Sequence, residues 1–175
     1  MKASTTWHSS KELKIDLDDA AERRFLQAIR TAPVPPPLPK LRTTNAQVKE
    51  KLDTFNECFT RGLWEEAVSA GIFLVKLAVF DVEELFARLA YAASLDGQYE
   101  LSVSYASQSI KIYPHDGYAY LAYANIACAN GMARLARSWI SIAAATPKTN
   151  PTALKYLQEK VHYILAAGTT SLIAY

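Results

Sequence analysis

The residues able to do chemistry in this chain are few and scattered. His8, His115 and His162 stand far apart, and none belongs to a metal-binding or nucleophile-activating pattern such as HExxH, GxSxG, a Walker loop or a GxGxxG turn. His115 lies in Pro114-His115-Asp116-Gly117, a solvated turn. The adjacent carboxylates Glu65-Glu66 and Glu83-Glu84 could act as acid and base. Their place at or near helix starts is explained equally by the positive end of a helix dipole. Arg134 and Arg137, three apart on one helix, make a small basic patch: a solvated face by default, a contact for an acidic partner as the alternative. Cys58 and Cys128 form no CxxC or Cys/His cluster, which points to two reduced thiols, with a single disulfide as the lesser alternative. No catalytic residue, metal ligand or cofactor is assigned, and the chain reads as a binding protein, not an enzyme.

The bulk properties agree. The 175 residues are 50% hydrophobic and 21% charged, which suits one globular domain with a core of its own. A net charge of +2 is too weak to predict nucleic-acid binding. The longest uncharged run, Gly117 to Ala133, is broken by Tyr118, Tyr120, Tyr123, Asn125 and Asn130, and Gly71 to Phe80 by Lys76, so no membrane insertion is expected. The first residues, Met1 to His8, lack an apolar signal core, and a reducing cytoplasm is the expected compartment.

The elements that would position a site follow from helical periodicity. Leu17, Ala21, Phe25 and Ala28 share one helix face; Asp16 can cap it, with Asp18, Asp19 and Glu22 at its positive end, and it must stop near Thr31. Pro33 to Pro39 then favours an extended polyproline spacer, or a ligand for an aromatic groove. Thr44 with Gln47 reads as a capping box. This divides the chain into an N-terminal helix and linker over 1–43, a helical domain over 44–168 and a frayed tail over 169–175.

Within the domain three stretches align: Gly62-Leu63-Trp64-Glu65-Glu66-Ala67, Gly97-Gln98-Tyr99-Glu100-Leu101-Ser102 and Gly131-Met132-Ala133-Arg134-Leu135-Ala136. From Gly62 to Gly97 is 35 residues, and from Gly97 to Gly131 is 34. Glycine permits a sharp turn after a first helix, an aromatic two residues on fills the gap between helices, and a small residue five on lets the second helix approach. Ala133 replaces the aromatic in the third unit. A final helix capped by Asn150, with Pro151 in its first turn, carries Leu154, Leu157, Val161 and Ile164 or Leu165 on one stripe and should end near Gly168. The period resembles that of tetratricopeptide repeats. The resemblance implies an all-α fold: three helix-turn-helix units in a right-handed superhelix, with an N-terminal helix and a C-terminal capping helix.

Such arrays bind polypeptides in a groove lined by the first helix of each unit. The glycine register assigns that groove Leu52, Asn56 and Phe59 in the first unit and Ala87, Tyr91 and Leu95 in the second. The third supplies Tyr118, Leu121 and Asn125, with Cys128 beside them. The lining is apolar and aromatic with two amides able to meet an extended backbone. The lysine, arginine and asparagine clamp that holds acidic C-termini in some such proteins is matched only at Asn56, because Leu52, Tyr118 and Ala122 stand at clamp positions.

The layout over about residues 46–166 is similar to class II chaperones of bacterial type III secretion. The likeness is densest in Gly62 to Ala67 and in Asp96-Gly97-Gln98-Tyr99-Glu100-Leu101-Ser102-Val103-Ser104-Tyr105. It implies a cytoplasmic chaperone that holds secreted translocator proteins with apolar segments, with a homodimer built through the N-terminal region. The alternative is a general adaptor or scaffold, including a co-chaperone of needle subunits.

Overall fold

The computed structural model describes residues 19–33, 45–77 and 84–172. Leu17, Asp16 and Asp18, the Thr44 cap, residues 34–39 of the proline stretch, Phe80-Asp81 and the last three residues lie outside them. All regular structure among the described residues is helical: α1 (Asp19–Thr31), α2 (Asn45–Arg61), α3 (Trp64–Lys76), α4 (Leu85–Leu95), α5 (Tyr99–Ile112), α6 (Gly117–Ala129), α7 (Ala133–Ala144) and α8 (Pro151–Leu172). The fold is all-α.

The three aligned glycines make the three tight turns. Gly62, Gly97 and Gly131 have φ of 72°, 83° and 71°, in the left-handed region that only glycine enters cheaply. Each turn repeats one hydrogen bond: the amide after the glycine donates back to a carbonyl five residues earlier. These are Leu63 to Cys58, Gln98 to Ala93 and Met132 to Ala127, each at 2.9 Å. This is the bond of a Schellman C-cap, which satisfies carbonyls that a helix end leaves orphaned. The small residues five after the glycines, Ala67, Ser102 and Ala136, are all fully buried. Ser102 donates to the Ala90 carbonyl at 2.7 Å and so joins α5 to α4.

The hairpins α2–α3, α4–α5 and α6–α7 pack in chain order, α3 against α4 and α4 against α6. Gly71 lets α3 approach its neighbours, since a Cβ there would stand 2.8 Å from Leu89 Cδ1 and 3.1 Å from Phe55 Cε2. Helix α8 packs on α6 and α7. Its stripe is the expected one, with Leu157, Val161 and Ile164 buried. Asn150 caps it, accepting from the Ala153 amide at 3.0 Å. The expected stop at Gly168 is not observed, because the helix runs on to Leu172. A helix-interior glycine costs only about 1 kcal/mol relative to alanine, too little to force an end by itself.

Helix α1 ends at Thr31 as the sequence requires. Its partner is α5 of the same chain. Phe25 is fully buried, with its ring edge-on to Tyr123 at 6.2 Å. Ser107 and Ser104 of α5 donate to the carbonyls of Ile29 (3.5 Å) and Pro33 (2.8 Å). Phe25 is thus part of this chain's own core.

Candidate functional site

His115 and His162 are exposed, and His8 lies outside the described residues. Glu65 and Glu66 are exposed in the first turn of α3, where the helix dipole favours them. Glu83 is outside the described residues. No group of three His, Cys, Asp or Glu able to hold a metal occurs among the described residues. Cys58 and Cys128 are both free thiols. Burial pushes the Cys128 thiol up to about 11, opposed by the nearby Lys160 ammonium, so the thiol stays protonated. Arg134 finds its acid within the chain, an ion pair with Glu22 of α1 at 2.8 Å.

The groove residues divide into three groups. Phe59 of α2, Tyr91 of α4 and Tyr118 of α6 come together. The ring centroids of Tyr118 are 5.4 Å from both Phe59 and Tyr91, and Phe59 and Tyr91 are 6.3 Å apart. Trp64, which opens α3, closes the cluster with edge contacts to Phe59 at 5.7 Å and Tyr91 at 6.3 Å. Edge-to-face and tilted pairs at these separations are favourable, since each ring presents a positive edge to a negative face. Leu52 and Leu95 are half-buried and pack against the core. Ala87, Leu121 and Asn125 are sealed, at 0%, 0% and 2% exposure, and serve the packing between helices.

The two amides are differently employed. Asn125 donates through Nδ2 to the Ser94 carbonyl (2.9 Å) and hydroxyl (3.2 Å), and its Oδ1 accepts from Lys160 Nζ of α8 at 3.0 Å. It ties α4, α6 and α8 together and, with its Nδ2 engaged and only 2% of the residue exposed, it is withheld from a peptide backbone. Asn56, half-buried, accepts at Oδ1 from Arg88 at 2.8 Å.

Arg88, Lys160 and Tyr156 belong to this region and were not picked out from sequence. The Arg88 guanidinium lies over the Phe59 ring at 4.4 Å and the Phe55 ring at 5.0 Å. Burial lowers its pKa, and Tyr118, Glu84 and Asp116 offset part of that. Lys160 Nζ is 5.7 Å from the Tyr156 ring centroid. Burial raises the Tyr91 hydroxyl, with further contributions from Tyr156 and Tyr118. Tyr91 is 5% exposed, Tyr118 half-buried and Tyr156 46% exposed, so the surface opens toward α8. A residue of α8 could have been placed here only by extending the repeat register into a helix whose turn lacks the glycine.

A separate hollow of about 680 Å³ lies between α2 and α3, lined by Lys51, Thr54, Glu66, Ser69, Phe73 and Lys76 among others. None of the nine groove residues borders it. No helix among the described residues is long and apolar enough to cross a membrane. No family model, curated protein or solved structure matches this chain.

Proposed function

We propose that this chain is a tetratricopeptide-type holder of extended polypeptide. Its specific role is that of a cytoplasmic chaperone for secreted translocator proteins of a bacterial type III secretion system. The observation that carries the reading is the partly open aromatic surface of Tyr118 and Tyr156, contributed by α6 and α8 beside the buried Phe59 and Tyr91. The near-equal spacing of the three glycine turns, 35 and 34 residues, supports it. Tyrosine suits such work because it buries a large ring at small entropic cost and keeps a polar tip. A pore-forming client exposes apolar helices before insertion, and covering one segment blocks aggregation without any nucleotide cycle.

The test is co-production with a translocator-type polypeptide carrying long apolar helices. A soluble complex is expected. The double substitution Tyr118→Ala, Tyr156→Ala should weaken it at least ~10-fold, as loss of two aromatic contact residues predicts, with helicity unchanged by circular dichroism. Undiminished affinity in a calorimetric titration refutes the assignment of this surface. Selective binding of a small helical filament subunit in place of the translocator supports the adaptor role.

A further inference from the structure

The aromatic surface holds two cations that no acid among the described residues neutralises by direct contact. Arg88 is held by Asn56 and two rings, and Lys160 by Asn125 and the Tyr156 ring. Among the described residues neither makes an ion pair. Glu84 and Asp116 lie close enough to Arg88 to be felt by it, but they do not pair with it. Asp116 uses one carboxylate oxygen to cap α6, accepting from the Tyr118 amide at 3.0 Å. The amide oxygens that meet the two cations are dipoles, not charges. A cation taken partly out of water without a counter-charge is costly, and an incoming carboxylate recovers that cost.

The tyrosines connect the two positions. Arg88 lies over Phe59, Tyr118 touches both Phe59 and Tyr91, the Tyr91 carbonyl is joined through Ser94 and Asn125 to Lys160, and Lys160 lies over Tyr156. The helices run in the order α4, α6, α8, with α6 packed against both others. The two cations belong to helices that flank α6, so each is placed to meet a carboxylate of its own.

Building on the surface proposed above, we propose that its occupant is an extended segment carrying two acidic side chains, one on Arg88 and one on Lys160, with apolar side chains between them on Tyr118 and Tyr156. Asn56 holds the guanidinium from one edge, which leaves its remaining N–H groups to address the ligand. The apolar part supplies area and the two charges fix register and direction.

The probe is a pair of synthetic peptides blocked at both ends, identical in their apolar residues. One carries two glutamates flanking the apolar residues, the other two glutamines. Titrated into the full chain at low salt, the glutamate peptide should bind at least tenfold more tightly, and raising the salt should erase most of the difference. Lys160→Gln, at a half-buried position, should remove about half of the preference on a logarithmic scale. Arg88→Gln should remove the rest, and the Lys160 variant alone decides if the Arg88 variant does not fold. Equal affinity of the two peptides overturns the charge pairing and leaves the aromatic surface standing. A preference that survives both substitutions places the recognition elsewhere. A third peptide, with glutamines and a free terminal carboxylate, should gain nothing; matching the glutamate peptide would overturn the assignment to side chains. Failure of all three to bind overturns the surface and the pairing together.

Discussion

Phe25→Ala separates the attachment of α1 from the stability of the hairpins. Phe25 is fully buried and meets Tyr123 edge-on, so truncation to alanine removes about 3–5 kcal/mol of packing. The other ties are weaker. Two serine hydroxyls donate to α1-side carbonyls, and each such bond is worth about 0.5–1.5 kcal/mol net. The Glu22–Arg134 pair, with Arg134 largely exposed, is worth about 1 kcal/mol or less. A 13-residue helix is marginal in isolation, so α1 keeps its shape only while docked. The substitution should therefore undock α1. A loss of about 3 kcal/mol in its local opening free energy is roughly a hundredfold faster amide exchange. Hydrogen exchange followed by mass spectrometry should show this in α1 peptides, with a smaller change in α5 and almost none in α2 and α3. An equal fall in protection through α4 and α6 would show that Phe25 belongs to one cooperative core. Unchanged protection of α1 would show that the ring contributes nothing.

Two further outcomes test the framework. Gly97→Ala should lower stability by about 1–2 kcal/mol through the left-handed backbone at φ 83°, seen as a lower urea midpoint with unchanged slope; an unaltered midpoint would mean the turn does not need glycine. Asp116 is 3% exposed, and its Oδ2 has no hydrogen-bond partner among the described residues. Burial raises its pKa from 3.8 to about 6, against the pull of the Tyr118 amide, Lys148 and Arg88. The folded state thus binds this proton more tightly than the unfolded state. Its contribution is fully present below about pH 4 and is lost as pH rises to about 6. Asp116→Asn, which keeps the cap, should abolish that fall in urea midpoint between pH 4 and 6. A variant profile parallel to that of the unsubstituted chain would assign the pH dependence to other groups.

The turns were legible because one chemical fact governs them: a left-handed residue closing a Schellman bond is nearly always glycine, and the spacing of three glycines is visible without any structure. The buried small residues Ala67, Ser102 and Ala136 were legible for the same reason. The site was legible only in part. Helix α6 is apolar nearly all round, and Leu121 and Tyr118 look equivalent in sequence although one is sealed and the other half-buried. Asn125 reads as a free amide until Lys160, 35 positions away in sequence, is seen to occupy it. The docking of α1 depends on Ser104 and Ser107, whose hydroxyls carry no periodic signal. Helix α8 read as a cap, and a cap is read for the stripe it buries; Tyr156 and Lys160 lie off that stripe.

The way the surface is built bears on how it could bind. Tyr91 is locked between Phe59, Trp64 and Tyr118, and the backbone carbonyl of Tyr91 accepts from the buried Ser94 hydroxyl at 2.7 Å. Ser94 in turn accepts from Asn125, which accepts from Lys160. A rigid tyrosine floor and a cation therefore share one hydrogen-bond chain across α4, α6 and α8. Side chains already fixed in this way lose little entropy when a guest arrives, so a modest buried area yields usable affinity. The same chain sets the limit on what can enter. A guest that needed the Asn125 amide would have to break bonds to Ser94 and Lys160 together, leaving buried polar groups unpaired at about 1–3 kcal/mol each. Binding by side chains to the rings and the cations is thus favoured over binding by backbone to the amides.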